Sequence, residues 1–363
     1  MFRLISKQQF SEKVFCLEVE APLIAKSCKP GNFIIVRVDH NSERVPYTIA
    51  KSDAAKGTLT LVIQEVGLSS TKLCQLSPGD EIADIVGPLG TPSKIANYGT
   101  VICAGGGIGI AAILPILTAL KQAGNRVISV LAGRTKELVI MVDDVAKYSD
   151  EVIIMTDDGS WGEKGVVTVG MEKVINREHV DKVLAIGPPI MMKFCSLLAH
   201  KYNIPNDVSL NTIMVDGTGM CGACRLTIGG KTRFVCIDGP EFDGDQVDWD
   251  EMFKRMGTFK AVEREEMAHY AEHVAAPVCQ EAQTAPNEVN NNKSESVDTG
   301  SLTDRNAPWR EALRKSMSAK ERKQIARVVM PELDAQYRAT TRLEEVNKGL
   351  TKEMALLEAK RCL

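Results

Sequence analysis

The chain has 363 residues, with 44 Lys+Arg against 47 Asp+Glu and a formal net charge of −3. At 44% hydrophobic and 25% charged residues it has the composition of a globular protein of two or three domains. Balanced charge and only 5% aromatic residues exclude a whole-chain nucleic-acid binder and extended base-stacking surfaces. Ten cysteines suit a reducing compartment, where most stay free thiols. The start, MFRLISKQQFSEKVF, has neither an unbroken apolar run nor a small-residue cleavage site. The expectation is a cytoplasmic chain.

Residues 1–97 carry short alternating runs such as Val14–Val19, Phe33–Val38 and Thr58–Ile63, separated by turn residues such as Lys29-Pro30-Gly31-Asn32 and Ser77-Pro78-Gly79-Asp80. That spacing predicts an antiparallel β-barrel. Arg44-Val45-Pro46-Tyr47-Thr48 stands at the end of a predicted strand, and Gly67-Leu68-Ser69-Ser70-Thr71 opens a short predicted helix. Arginine pairs with diphosphates, and a helix start offers free N–H groups and hydroxyls to the same anion. Taken singly, Arg44 also reads as a surface charge and Tyr47 as an ordinary core aromatic.

Residues 98–205 change style. Residues 98–120 hold no charge and imitate a membrane span, but Gly99, Gly105, Gly106, Gly107, Gly109 and Pro115 argue for a buried strand, a turn and a helix. Further apolar runs at 126–131, 152–155 and 182–186 predict an α/β doubly wound domain with a parallel sheet. In Val101–Ala104 followed by Gly105-Gly106-Gly107-Ile108-Gly109, glycines permit a tight turn and close approach to a pyrophosphate at a helix N-terminus. Ile110 occupies the place of the third glycine of the usual fingerprint. Val130-Leu131-Ala132-Gly133-Arg134 stands where an acidic ribose ligand is usual, which points weakly to NADP.

Residues 206–255 are short and cysteine-dense. Asp216-x4-Cys221-x2-Cys224 followed by Cys236 is the plant-type 2Fe–2S spacing with aspartate in the first ligand place. Glycines 217, 219 and 222 permit a loop that wraps a cluster and aims amide N–H groups at its sulfides. A redox dithiol leaves Cys236 over, and zinc usually takes Cys/His sets. Asp216 is either the fourth ligand or a turn residue. Cys16, Cys28, Cys74, Cys103 and Cys195 read as small buried hydrophobes. Residues 256–305 are expected to be a largely disordered linker, rich after 280 in Asn, Ser, Thr, Glu and Asp. Residues 306–363 carry 13 Lys+Arg against 8 Asp+Glu and are expected to be helical, their excess charge either a solvated face or a site for an anionic partner.

An all-β part followed by a glycine turn resembles the ferredoxin-reductase-type flavoproteins. Within them the chain is similar to electron-transfer flavoproteins related to sulfide dehydrogenase and to the electron-transfer subunit of dihydroorotate dehydrogenase. The resemblance spans about residues 1–255 and rests on Arg44–Thr48, Gly105–Gly109, Thr156–Gly162, Gly187–Met192 and the cysteine loop. It implies a multi-domain, ferredoxin-reductase-like fold with an FAD-binding barrel at 1–97, an NAD(P)-binding domain at 98–205 and a 2Fe–2S loop domain at 206–255.

The FAD contacts it implies are Arg44, Pro46, Tyr47, Thr48, Gly67, Ser70 and Thr71, with Tyr47 covering a ring face and Thr48 near flavin N5. Gly105, Gly106, Gly107, Gly109, Asp158, Gly159, Gly187 and Met191 fall to the nucleotide and flavin, with Asp157 and Thr48 at the reacting end. Two adjacent carboxylates at 157 and 158 are otherwise a routine turn. Asp216, Cys221, Cys224 and Cys236 fall to the cluster.

Aspartate at 216 resembles the branch of the small subunit of NADH-dependent ferredoxin:NADP+ oxidoreductases. Residues 344–363 are similar to the start of glutamate-synthase small-subunit-like proteins, broken off at Cys362. The implied activity is electron transfer between NAD(P)H, FAD, a 2Fe–2S cluster and a partner, either ferredoxin or a glutamate-synthase-like flavoprotein. A dihydroorotate-type carrier and a zinc-binding scaffold are the alternatives. The resemblance favours NAD over NADP.

Overall fold

The computed structural model of the chain describes residues 2–40 and 42–275. The linker expected beyond 275, the helices expected at 306–363, and Cys279 and Cys362 lie outside the described residues.

Strands β1 (Phe2–Ser11), β2 (Val14–Glu20), β3 (Phe33–Arg37), β4 (Val45–Thr48), β5 (Lys51–Asp53), β6 (Thr58–Gln64), β7 (Glu81–Ile82) and β8 (Asp84–Leu89) alternate with helices α1 (Pro22–Ser27) and α2 (Leu68–Gln75). They pair as two antiparallel sheets, β5-β6-β2-β1-β7 and β4-β3-β8. Period-2 alternation turns Leu17, Val19, Leu59, Leu61 and Ile63 inward against Ile34, Val36 and Leu73. The N-terminal part is therefore two sheets around one core among the described residues, not one continuously paired barrel.

The next part contains β9 (Thr100–Gly106), α3 (Gly109–Gln122), β10 (Arg126–Gly133), α4 (Val142–Ala146), β11 (Glu151–Thr156), β12 (Glu163–Lys164), α5 (Val167–Arg177), β13 (Lys182–Ile186), α6 (Pro189–Lys201) and β14 (Asn206–Ser209). Its strands run parallel in the order β12-β11-β10-β9-β13-β14. Ile110, Ile113 and Leu117 of α3 cover one face, while Met171 and Val174 of α5 and Met192 and Cys195 of α6 cover the other. Strand order reverses between β9 and β13. The loops after these two strands start side by side at the place where such sheets bind ligands. Residues 98–120 are divided by the glycine turn, and no helix among the described residues is long and apolar enough to cross a membrane.

The last described part adds the hairpin β15 (Arg225–Ile228) and β16 (Lys231–Phe234), α7 (Val235–Asp238), β17 (Glu241–Asp243), α8 (Trp249–Met256) and α9 (Lys260–Ala275). Two expected boundaries are corrected. A break at 205 would detach β14, which pairs with β13 from Val183↔Asn206, and β17 then joins β14 as the antiparallel edge of the same sheet. The linker expected from 256 begins with α9, whose Ala, Glu, Lys, Arg and Met residues favour helix. The Tyr270 hydroxyl donates to Gln75 Oε1 of α2 at 2.7 Å.

One buried cluster joins Phe33 and Ile35 of β3 to Cys224, Leu226, Val235 and Cys236, so the cysteine loop and the N-terminal sheets share a core.

Candidate functional site

At the reversal of strand order, glycines make the turn possible by close packing. A Cβ on Gly106 would overlap Met191 Sδ, and one on Gly109 would overlap the Ile186 carbonyl. Gly105 faces Ile110 Cα at 3.2 Å from its own would-be Cβ. Gly107 differs: its φ is +55°, and nothing lies within 4 Å of its would-be Cβ. Here the backbone needs glycine for conformation and leaves room above it, which is the cradle a pyrophosphate requires. Gly187 also meets Gly106 directly, 3.1 Å from Cα to would-be Cβ. Gly105–Gly109 and Gly187–Met191 are thus brought together.

The loop after β11 holds Asp157, Asp158 and Gly159. Asp158 is committed to the turn: its Oδ1 accepts the Ser160 N–H at 2.9 Å and the Ser160 hydroxyl at 2.7 Å, which holds its pKa below the ordinary value. That is the routine-turn reading, and it leaves Oδ2 of this exposed carboxylate free. The Asp157 carboxylate is exposed and makes no hydrogen bond among the described residues.

On the other side, Arg44 is an exposed cation just before β4 with no ion-pair partner among the described residues. Tyr47 carries a buried hydroxyl with no hydrogen-bond partner among the described residues, and burial raises its pKa. Its ring packs against the core that contains Leu73 and Cys74. The Thr48 hydroxyl likewise has no partner among the described residues. An unpaired cation just before β4 and the unused Thr48 hydroxyl at its end fit a diphosphate-bearing cofactor, whereas the Tyr47 hydroxyl is enclosed by the core.

Ser70 and Thr71 correct the expectation at α2. Ser70 Oγ accepts the Val66 and Gly67 N–H groups, each at 3.0 Å, and donates to the Gly67 carbonyl at 2.8 Å. Thr71 donates to Glu65 at 3.2 Å. Both hydroxyls are buried and bonded inward, so the first-turn N–H groups are what α2 offers an anion. Gly67, the N-cap, has no side chain with which to cap them.

In the cysteine loop, Gly217, Gly219 and Gly222 all have positive φ, from +66° to +82°. Asp216 holds the loop shut: Oδ1 accepts the Thr218 N–H and Oδ2 the Cys221 N–H, both at 2.7 Å. These backbone bonds, led by Thr218, lower its pKa and keep it ionised. Asp216 thus plays the turn role the sequence left open. A carboxylate has about four lone-pair sites, so two remain for a metal.

Cys224 and Cys236 are buried with their sulfurs 3.2 Å apart, and burial, then Cys224, push the Cys236 thiol up to about 12. Cys221 is exposed, its sulfur accepting the Ala223 N–H at 3.5 Å. Among the described residues no three His, Cys, Asp or Glu side chains converge on one ion. A 2Fe–2S cluster asks instead for two ligands on each of two irons, and Cys224–Cys236 has the adjacency of such a pair.

The loop is docked on the N-terminal sheets. A Cβ on Gly217 would lie 2.6 Å from both Ile35 Cδ1 of β3 and Leu89 Cδ1 of β8. Thr91 donates its N–H to the Gly239 carbonyl at 2.6 Å and its hydroxyl to the Ile237 carbonyl at 2.9 Å. Ser93 donates to Glu241. Thr91, Ser93 and Glu241 escaped the sequence reading. Their partners are about 146 residues away in sequence, and no local pattern marks them.

Residues 1–93 match the oxidoreductase FAD-binding domain, and residues 211–248 match the iron-sulfur cluster binding domain of dihydroorotate dehydrogenase B. A Thermotoga maritima protein described as a dihydroorotate dehydrogenase B (NAD(+)) electron transfer subunit homolog is 47% identical over 261 residues, covering 72% of this chain and 92% of that protein. The chain belongs to this family. Another member, the dihydroorotate dehydrogenase B (NAD(+)) electron transfer subunit of Desulforamulus reducens, is 30% identical over 256 residues, covering 68% of this chain and 97% of its own.

Family membership makes the chain a flavin and iron–sulfur electron-transfer protein. A chain in a solved structure of an NADH-dependent reduced ferredoxin-NADP oxidoreductase aligns with a TM-score of 0.71 at 44% identity, over 74% of this chain and 98% of that one. The ferredoxin reductase of carbazole 1,9a-dioxygenase aligns with a TM-score of 0.50 at 18% identity, over 56% and 65%, which shows the ferredoxin-reductase-like fold.

Proposed function

We propose that the chain is the NADH-linked electron-entry module of an NADH-dependent ferredoxin:NADP+ oxidoreductase, with FAD and a 2Fe–2S cluster as resident groups. The observation that carries this reading is the docking of Gly217 on Ile35 and Leu89. Ile35 pairs with Pro46 on the strand of Tyr47 and Thr48, which Arg44 precedes, so the cluster loop and the FAD strand are neighbours across one sheet.

In this reading Arg44 and the first-turn N–H groups of α2 hold the FAD diphosphate, Tyr47 covers a ring face, Thr48 gives its hydroxyl near flavin N5, and Gly105–Gly109 with Gly187 and Met191 receive the nicotinamide nucleotide. Bound FAD supplies acceptance of a hydride and release of single electrons. The chain's residues supply alignment and a dry, close-packed crevice. Asp157, with its free carboxylate, faces the reacting end. Asp216, Cys221, Cys224 and Cys236 bind the two irons. A glutamate-synthase-like flavoprotein domain and ferredoxin are the partners this assignment implies. A dihydroorotate-type carrier is the second reading, favoured by the names of the curated relatives; the partner recovered on co-purification separates the two.

The test is an anaerobic visible spectrum with flavin, iron and sulfide analysis, before and after NADH. One FAD with two irons and two sulfides per chain, bleached by NADH, supports the reading. A chain that stays colourless after reconstitution with FAD, iron and sulfide overturns it, and greater bleaching by NADPH than by NADH overturns the nucleotide assignment.

A further inference from the structure

Glu241 is the largely buried acid at the seam of all three parts. Ser93 donates its hydroxyl to the Glu241 carboxylate, while the Ser93 N–H donates to the Pro30 carbonyl at 2.9 Å. One serine therefore ties β17 to the turn before β3. Gly31 has no room for a Cβ there: one would overlap Ser93 Oγ and lie 3.1 Å from Glu241 Oε1. The tie is flanked by Thr91, bonded to the Gly239 and Ile237 carbonyls, and by Gly90, whose would-be Cβ lies 3.0 Å from Pro240 Cδ. Between them these contacts span the segment that begins at Cys236. The remaining groups around Glu241 are Asp207, Lys182 and the Cys103 thiol, and Lys182 is paired with Asp207 at 2.5 Å.

We propose that Glu241 is a positioning residue for electron exit: by accepting the Ser93 hydroxyl it fixes the Cys236–Pro240 segment, and with it the cluster, at a set separation from the FAD strand β4. The inference rests on the proposed function. It assigns Glu241 no contact with either cofactor. Its role is to prevent the small displacements that cost a reaction step heavily.

The experiment compares the loaded full chain with its Glu241→Ala, Ser93→Ala and Glu241→Gln variants by anaerobic stopped flow, following flavin and cluster absorbance separately after NADH. Glu241→Ala and Ser93→Ala are expected to slow cluster reduction by about tenfold or more while flavin reduction changes by less than about twofold. Glutamine still accepts from Ser93, so Glu241→Gln is expected to restore the wild-type rate. In the cofactor-free chain, amide hydrogen exchange across residues 236–241 is expected to rise in Glu241→Ala and not in Glu241→Gln.

Wild-type cluster reduction in both disrupting variants, or equal slowing of flavin and cluster without rescue by glutamine, overturns the positioning role. Unchanged amide exchange in Glu241→Ala overturns it independently of any cofactor. Failure of the wild-type chain to hold FAD and cluster, or to be bleached by NADH, is distinguishable because it removes the proposed function itself and this inference with it.

Discussion

Gly109 and Ile186 pack so closely that a Cβ on the glycine would overlap the isoleucine carbonyl oxygen and come within 2.8 Å of Gly187 Cα. Both obstacles are backbone at the end of β13, which rotamer changes cannot move. Gly109→Ala is therefore expected to destabilise the chain by about 2 kcal/mol, the cost of overpacking a rigid site. Gly107→Ala meets open space and bears only its positive φ, about 1 kcal/mol. Thermal unfolding should rank Gly109→Ala below Gly107→Ala, and the reverse order would show that the turn is not packed this way. Gly107→Ala should still slow reduction by NADH, because its methyl enters the cradle.

How far the sequence disclosed this site depended on how local each feature is. The strand, glycine turn and helix at 101–120 and the Asp216–Cys224 spacing are contiguous, and their chemistry shows in residue type alone. Ser70 and Thr71 misled because a hydroxyl at a helix start serves an anion or the helix itself with the same sequence, and the choice depends on which way the rotamer turns. Asp158 is read either way for the same reason, with Ser160 engaging one of its two oxygens. The break expected at 205 failed because β14 is recognised as part of the sheet only through its pairing with β13. Glu241 was invisible because the groups it meets, Ser93, Gly31 and Asp207, lie far from it in the chain.

Cysteine accessibility predicts an order of alkylation in the cluster-free chain. Cys221 is exposed, whereas Cys224 and Cys236 are buried and the Cys236 thiol is raised to about 12. Thiolate is the reactive form, so iodoacetamide at pH 8 should label Cys221 well before Cys236. Peptide mass spectrometry reads the order, and loading with iron and sulfide should protect all three. Equal rates would mean that the apo loop is open.

Asp216 serves both the loop and the ligand set, and two substitutions separate the roles. Asp216→Ala removes the acceptor for the Thr218 and Cys221 N–H groups and is expected to abolish cluster retention. Asp216→Cys also loses the two-oxygen acceptor, but its thiolate binds iron in the same ligand place, so it is expected to keep a cluster at reduced occupancy, with a lower reduction potential and a changed electron paramagnetic resonance spectrum. An unaltered spectrum in Asp216→Cys would show that residue 216 does not ligate iron.

Arg44→Ala tests the FAD side. The side chain has no partner among the described residues to leave unsatisfied, so stability should change by less than about 0.5 kcal/mol. FAD affinity should fall by about tenfold or more, the worth of one charge-assisted contact to a diphosphate. Titration of the apo-protein with FAD measures both the affinity and, through thermal shifts, the stability. Equal FAD affinity in the variant would take Arg44 out of the site.

Glu241 makes stability depend on pH in a definite direction. Burial is the first cause that raises its pKa to about 7 from the ordinary 4.5; Asp207 adds to this, while Ser93 and Lys182 oppose it. A carboxyl with a raised folded-state pKa binds more protons folded than unfolded between those two values. Folding stability due to this group is therefore full below about pH 4.5, falls as pH rises towards 7, and levels off above. The whole excursion is at most about 3 kcal/mol, from 1.36 kcal/mol per pH unit. Glu241→Gln has no proton to lose, so the cofactor-free variant should equal the wild type near pH 5 and exceed it at pH 8. Urea unfolding at the two pH values measures the difference directly. A variant that gains nothing on going from pH 5 to pH 8 would mean that Glu241 titrates as an ordinary exposed carboxylate, with the seam around it open to water.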